Sequence, residues 1–480
     1  MFDQQQSKTL KITAFEEFEQ KLRSSTDICD ELNSGLIGKN AEITGPFGPR
    51  KMIYADYVAS GRALMQVEQF VLEQVLPFYA NSHTESSYCG GYTTAMREEA
   101  RRVVLDKCNG KPDEHAVIFS GSGATLALNK LVHLFGVKDG LDRGEKITIL
   151  VGPYEHHSNI LPWRETGAEV IEIAEAEGGG PDVGHLREAL ETQSRLGPVI
   201  ASFSAASNVT GIGADIPAIT KIVKTAGAKM VWDYAGGAPY VPIDLMPQGN
   251  AIDAVVMSPH KFIGGPGASG ILIVRRDAVS ADRPYFPGGG TVAFVNDRVH
   301  DYLSNIEERE EGGTPNIVGD IRAALVMIVK DALGQDFITR RNAELTQKTV
   351  DAWGNSSSIK LLGGSRTDRL PIFSFIVDLP DDRLFDFQAF TRDLSDRYGI
   401  QARGGCACAG PYVHRLLDIS DELSNDLRAQ ILSGDESHKP GFVRLNLSVL
   451  MSDEVVQFIL ESVRELADTY CMEAKLEAAG

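Results

Sequence analysis

The stretch Met257-Ser-Pro-His-Lys-Phe-Ile-Gly-Gly-Pro-Gly-Ala-Ser-Gly-Ile-Leu-Ile-Val274 decides how this chain is read. Its run Gly265-Pro-Gly-Ala-Ser-Gly270 fits G-x-G-x-x-G, the pattern of a dinucleotide-binding turn. That turn needs a strand before the glycines and a helix after them, because the helix N-terminus holds the pyrophosphate. Here the glycines run straight into Ile271-Leu-Ile-Val274, an apolar β-branched run that reads as a strand. The dinucleotide reading fails on context. Lys261, set between a histidine and the glycines, becomes the residue to explain.

The bulk composition narrows the classes. A chain of 480 residues is long enough for a large core and two domains. With 43% hydrophobic and 24% charged residues it has the make-up of a soluble globular protein. A net charge of −19 repels nucleic acid and anionic membranes, which excludes both as partners. The N-terminal stretch has no apolar core of a secretory signal, and no apolar run is long enough to span a bilayer. The cytoplasm is the expected compartment. Six cysteines do not make a disulfide framework, and only Cys406 and Cys408 lie close together. No second pair stands near them at zinc-site spacing, so no metal site is expected.

Residues 1–52 read as a helical lead-in and linker packing on a small domain, 53–325 as a large domain, and 326–480 as the small domain. In the middle segment strand-like runs alternate with helical patterns. Ala116-Val-Ile-Phe119 precedes a helix at Thr125–Phe135, and further strands are Lys146–Val151, Val199–Phe203 and Lys229–Trp232. Such alternation predicts an α/β domain with a mostly parallel sheet. Leu370–Val377 reads as a strand of a smaller α+β domain that ends in a helix from Asp453 to about Lys475. The polar segment Asp421–Pro440 reads as a loop insertion.

Ligands in open α/β sheets bind beyond the carboxyl ends of the strands. Gly121-Ser-Gly-Ala-Thr125, His156, Asn208, Asp233 and Lys261 all follow apolar runs at such ends, so five distant segments converge on one crevice. The glycine-bearing turn opens a helix whose free N–H groups can hold a phosphate dianion. Asp233 can face the crevice as a carboxylate, or serve as an ordinary turn aspartate. Together a lysine, a carboxylate and an anion cradle match the needs of pyridoxal phosphate: an imine partner, a group that keeps the ring nitrogen protonated, and a phosphate site.

The sequence resembles the class V group of fold-type I pyridoxal-phosphate enzymes, near the cysteine desulfurase and selenocysteine lyase branch, from about Tyr54 to the C-terminal helix. Ser258-Pro-His-Lys261 is similar to the family's S-x-H-K. The resemblance implies a large domain built on a mostly parallel seven-stranded sheet, with a smaller α+β domain. It makes Lys261 the lysine that joins the cofactor and places Ser258 and His260 on its phosphate. Gly123-Ala124-Thr125 takes the place of the family's phosphate cup, where Ala124 removes one hydroxyl. Glu155-His-His-Ser-Asn159 with Pro162-Trp163 resembles E-H-H-x-N-x-x-P-W, in which His156 stacks on the ring. Asn208 matches the asparagine near the ring hydroxyl and substrate carboxylate, and Asp233 with Ala235 matches D-x-A. Gly236 stands where glutamine or histidine is common, so one hydrogen bond to the ring oxygen is lost or supplied from elsewhere.

Gly312-Gly-Thr-Pro-Asn316 is similar to a turn that lends its threonine, here Thr314, to the partner subunit's cofactor phosphate. That implies a homodimer with a shared site. Arg444 falls at the position of the arginine that grips the substrate α-carboxylate, a planar anion suited to a bidentate guanidinium. Arg403, Asn208 and His83 are further substrate contacts by the same resemblance. His83 lies in Asn81-Ser-His-Thr84, where Thr84 replaces the family's arginine.

One desulfurase branch carries R-x-G-x-x-C, whose cysteine takes the sulfur as a persulfide. Arg403-Gly-Gly-Cys-Ala-Cys408 puts Cys408 on that position, though Cys406-Ala407 replaces the usual histidines. Two readings stay open: a reactive thiolate favoured by a nearby arginine, or a small packing residue. The expected function is removal of sulfur or selenium from L-cysteine or L-selenocysteine, giving alanine, with Lys261, Cys408 and His156 as catalytic residues and a sulfur-acceptor protein as a further partner. The alternative is a class V aminotransferase, or another lyase or epimerase acting on a small amino acid, with Cys408 structural.

Overall fold

The computed structural model describes residues 12–82, 86–380, 383–436 and 439–479. Seven strands build the central sheet: β1 (His115–Ser120), β2 (Thr148–Val151), β3 (Glu169–Glu172), β4 (Val199–Ser204), β5 (Lys229–Asp233), β6 (Ala254–Met257) and β7 (Gly270–Arg275). Their spatial order is β1-β7-β6-β5-β4-β2-β3. The pairs from β6 through β3 are all parallel, while β7 runs antiparallel to both of its neighbours. The expected mostly parallel α/β sheet is therefore present. The run Ile271–Val274 is indeed a strand, and no helix opens on its glycines.

Continuous apolar runs form these strands because both sheet faces are covered. One face packs Val117, Phe119, Phe203, Trp232 and Met257 against the long helix Ile317–Leu333 and its neighbour Tyr88–Asp106. The opposite face packs Ile118, Ile149, Val231 and Leu272 against the helix Ala124–Leu134. Since β7 is antiparallel to both β1 and β6, those two strands share one direction. The carboxyl ends of β1, β2, β4, β5 and β6 consequently lie along one edge of the sheet.

A second sheet contains β8 (Ile359–Leu361), β9 (Ile372–Val377), β10 (Arg403–Gly405) and β11 (Phe442–Asn446), in the antiparallel order β8-β9-β11-β10. Trp353, Phe373, Phe375 and Phe390 fill its core together with Val456, Ile459 and Val463 of the final helix. That helix runs from Asp453 to Ala479.

Two expectations change. The segment read as a loop insertion contains a helix, Asp421–Leu432, capped by Ser420, whose side chain accepts from the Leu423 N–H. Only Leu427 of that helix is buried, so it leaves almost no apolar period in the sequence. The lead-in is divided in its packing. Phe15, Phe18 and Leu22 join Phe70 in the core of the large sheet, while the hairpin Glu42–Gly45/Gly48–Lys51 touches the helix Phe387–Tyr398 beside the second sheet. The apolar face of Ala14–Arg23 sets the rings of Phe15 and Phe18 against Phe70.

Candidate active site

Five turns leave the shared edge of the large sheet. After β1, Gly123 adopts φ +70 and ψ −158, a conformation open essentially to glycine alone. A Cβ there would stand 3.0 Å from Ser258 Oγ and 3.2 Å from His260 Cε1. The close approach joins the turn after β1 to the turn after β6, and the Ala124 N–H donates to Ser258 Oγ at 3.0 Å. Thr125 is exposed at the head of the helix, with Oγ1 2.7 Å from Ser158 Oγ. Ser158 in turn donates its N–H to His156 Nδ1 at 3.1 Å. His156 is thereby an acceptor at Nδ1, which leaves its proton on Nε2. Burial and the nearby Lys261 charge hold the ring neutral, its pKa drawn down to about 4; His260 is likewise drawn down to about 4 by burial and Lys261.

A buried framework sits behind His156. The Glu155 carboxylate accepts from the Ser204 N–H and Oγ, both at 2.7 Å, and from Asn159 Nδ2 at 2.5 Å. Asn159 Oδ1 accepts from Trp163 Nε1 and Ser202 Oγ. Burial pushes Glu155 up to about 7 despite those donors. The alternation of Glu155, Asn159 and Trp163 in the sequence is thus scaffolding that ties the turn after β2 to β4.

Asp233 ends β5, buried, with the Ala235 N–H donating to Oδ1 at 2.8 Å. Burial raises its carboxyl, while that N–H and the Lys261 charge draw it back. The Lys261 amine is lowered to about 8, chiefly by burial, with Asp233 opposing the shift. An amine near 8 keeps a minor but useful neutral, nucleophilic fraction at physiological pH, far above that of an ordinary lysine. At Gly236 a Cβ would lie 3.1 Å from the Ala206 carbonyl, so close backbone packing occupies the place of the side chain the resemblance leads one to expect.

The second sheet supplies the arginines. Arg444, on β11, is buried; its Nη2 meets Asp56 Oδ1 at 2.9 Å and its Nη1 donates to the Asn208 carbonyl at 3.1 Å. Its Nε is buried without a partner among the described residues. Such an orphan donor is what an incoming carboxylate can satisfy. Arg403, half-exposed on β10, reaches the other oxygen of Asp56 at 2.9 Å. Asp56 is a site residue that sequence reasoning missed. It is placed by the strand Ile53–Tyr54 pairing with Ile400–Gln401, and by its own bridge to Asn446.

Asn208 also reaches the cysteine loop, where its Nδ2 donates to the Ala407 carbonyl at 2.8 Å. The His157 N–H donates to the Cys408 carbonyl, also at 2.8 Å. Cys408 is exposed and Cys406 half-buried. Lys261, Asp233, His156, Asn208, Arg444, Arg403 and the Cys408 turn are therefore linked by contacts or by charge. Thr314 is exposed on the turn after Glu311, and no hydrogen bond among the described residues joins it to this group. Glu311 is locked by Arg97, Arg101 and the Phe119 N–H. His83 lies outside the described residues.

These residues fit pyridoxal phosphate. The side chain absent at Gly123 leaves room beside Ser258 and His260 for an anion, Lys261 offers a partly neutral amine, and Asp233 offers a buried carboxylate.

The chain is similar to known cysteine desulfurases. A probable cysteine desulfurase of Pyrococcus abyssi is 29% identical over 372 residues, covering 76% of this chain and 87% of that protein. One from Aeropyrum pernix is 30% identical over 374 residues, covering 75% and 86%. The apo structure of a cysteine desulfurase from Thermococcus onnurineus superposes with a TM-score of 0.75 at 23% identity, covering 93% of this chain and 99% of that one. The family model for class-V aminotransferases matches residues 53–457. The chain belongs to the class-V aminotransferase family and is a pyridoxal-phosphate-dependent enzyme.

Proposed function

We propose that this enzyme removes sulfur from L-cysteine, or selenium from L-selenocysteine, and releases alanine while the sulfur stays on Cys408 as a persulfide. The observation that carries this reading is the exposed Cys408 on a turn hydrogen-bonded to Asn208, the same residue whose carbonyl holds Arg444. A thiol and a carboxylate grip are thus braced by one side chain and its backbone. The desulfurase names of the relatives point the same way.

Pyridoxal phosphate, when bound, supplies an aldehyde for the substrate amine and a ring that accepts electrons from Cα. Ser258, Thr125 and the N–H groups heading the helix Ala124–Leu134 would hold its phosphate. Asp233 would keep the ring nitrogen protonated, as a buried carboxylate within reach of a cation does. His156, neutral, would lie against the ring. Thr314 would serve the phosphate of a second copy in a homodimer.

Arg444 binds the substrate α-carboxylate with its unpartnered Nε and a neighbouring Nη. Lys261 Nζ, neutral for half of the molecules near pH 8, takes the Cα proton. The Cys408 thiolate attacks the substrate sulfur. One S–S bond forms as the Cβ–S bond breaks, and the electron pair left on carbon is protonated to give alanine. Atoms balance without an oxidant: L-cysteine and one thiol become alanine and one persulfide. A thiol acceptor, protein or small molecule, then carries the sulfur away.

Product analysis tests this. With L-cysteine and a reducing thiol, sulfide and alanine should appear one for one, and Cys408→Ala should lose sulfide release. Keto acid and cofactor amine without sulfide would instead indicate amino-group transfer with a structural Cys408.

A further inference from the structure

Cys406 to Ala409 form a turn closed by the Ala409 N–H on the Cys406 carbonyl at 3.3 Å. Its two central residues, Ala407 and Cys408, have φ of +51 and +55. Positive φ at both central positions defines the type I′ turn, normally filled by asparagine and glycine. Alanine and cysteine resist that conformation, and it persists only where surrounding groups impose it.

Three hydrogen bonds impose it. One is the bond from Asn208 Nδ2 to the Ala407 carbonyl. The other two belong to His157. Its main-chain N–H donates to the Cys408 carbonyl at 2.8 Å, and its Nε2 accepts from the Gly410 N–H at 2.9 Å. The ring therefore spans the far side of Cys408, holding the chain just where the helix Gly410–Leu416 begins. The fit is close, since a Cβ on Gly410 would stand 3.1 Å from Nε2. Acceptance at Nε2 requires the neutral ring with its proton on Nδ1. Burial and Arg164 depress the His157 pKa, which favours that form. Further along the same helix, Tyr412 is anchored to Thr210 at 3.2 Å, so the helix has a second attachment to the turn after β4.

We infer that His157 is the positioning residue of the Cys408 turn: its ring nitrogen and backbone N–H hold Cys408 in a left-handed conformation that presents the thiol to the substrate. The role of the turn in sulfur transfer rests on the desulfurase reading above; the clamp itself does not. Histidines are missing just before Cys408, and the histidine that serves this turn comes from the opposite side of the crevice.

Two substitutions in the cofactor-loaded enzyme test it. His157→Phe keeps the ring volume and removes the acceptor, whereas His157→Gln offers an amide oxygen at similar reach. Amide hydrogen exchange at Gly410 should quicken about tenfold in His157→Phe, the size of one lost hydrogen bond, and return toward wild type in His157→Gln. Persulfide formation on Cys408 should slow in parallel, also by about tenfold, while the absorbance of the Lys261-bound cofactor and the KM for L-cysteine stay as in wild type. Unchanged Gly410 exchange in His157→Phe overturns the clamp, as does equal damage in both variants. A wild-type enzyme that forms no persulfide on Cys408 overturns the desulfurase reading instead, whatever the exchange experiment gives.

Discussion

Asp56 is ion-paired to Arg444 at 2.9 Å, and its second carboxylate oxygen holds Arg403 at the same distance. The two arginines are direct partners across the β10–β11 ladder. Like charges facing each other on adjacent strands are destabilising, and one aspartate from the start of the family-matched region bridges both and offsets part of that repulsion.

Removing it should therefore be felt in stability as well as in binding. Asp56→Ala leaves the buried Arg444 guanidinium without its counter-charge and should lower unfolding free energy by about 3 kcal/mol. Asp56→Asn retains an acceptor and should lose less. The KM for L-cysteine should rise in both, because Arg444 is no longer aimed, while cofactor absorbance is retained. Urea unfolding and steady-state kinetics on the loaded enzyme measure the two effects.

The lowered Lys261 amine predicts how cofactor loading depends on pH. Below the folded pKa the amine is protonated and cannot attack the aldehyde. Loading of the apoprotein should accelerate as pH rises, reach half its limit near 8, and level off above that. A lysine of ordinary pKa would keep gaining up to about 10.4. Stopped-flow absorbance across pH 6.5–10.5 separates these profiles.

Gly123→Ala should weaken retention of the cofactor by at least about tenfold, because the added methyl enters the cradle beside Ser258 and His260. The substitution also imposes a glycine-only conformation on alanine, which costs about 1–3 kcal/mol. Equilibrium dialysis of the cofactor and thermal unfolding of the apoprotein read the two terms separately.

The two cysteines of the loop should behave differently. Cys406 packs against the cluster containing Tyr154, Tyr412 and Phe442, whereas Cys408 is exposed at the turn. Cys406→Ala should keep most of the sulfide-releasing activity and lose about 1 kcal/mol or less of stability. Alkylation mapping of the untreated enzyme should label Cys408 ahead of Cys406.

Much of this was legible in the residues because buried parallel strands are written as uninterrupted apolar runs. Val199–Phe203 and Lys229–Trp232 mark strands whose ends then locate Asn208 and Asp233. Lys261 could be singled out because Ile271–Val274 is a strand and removes the competing reading. Asp56 left no such mark. It is brought in by a two-residue strand and an isolated bridge to Asn446, pairings too short to show periodicity. His157 was hidden for another reason: its partner Gly410 is 253 residues away, and its neighbour His156 absorbs the motif. The helix Asp421–Leu432 escaped because a helix that buries one leucine has no apolar stripe to read.

The most direct test concerns which lysine carries the cofactor. Lys261 has a rival in Lys330, half-buried in the wall of the same cavity and likewise drawn down to about 8, chiefly by desolvation of its amine. Lys330, however, donates to the Ala238 and Val241 carbonyls, and the groups that oppose its shift are Cys108 and Asp331 rather than the Asp233 that ends β5. Borohydride reduction of the loaded enzyme followed by peptide mapping should find the fixed pyridoxyl group on Lys261 and should find none in Lys261→Ala. A group fixed on Lys330, or on no lysine at all, would contradict the assignment of Lys261 as the chemical centre.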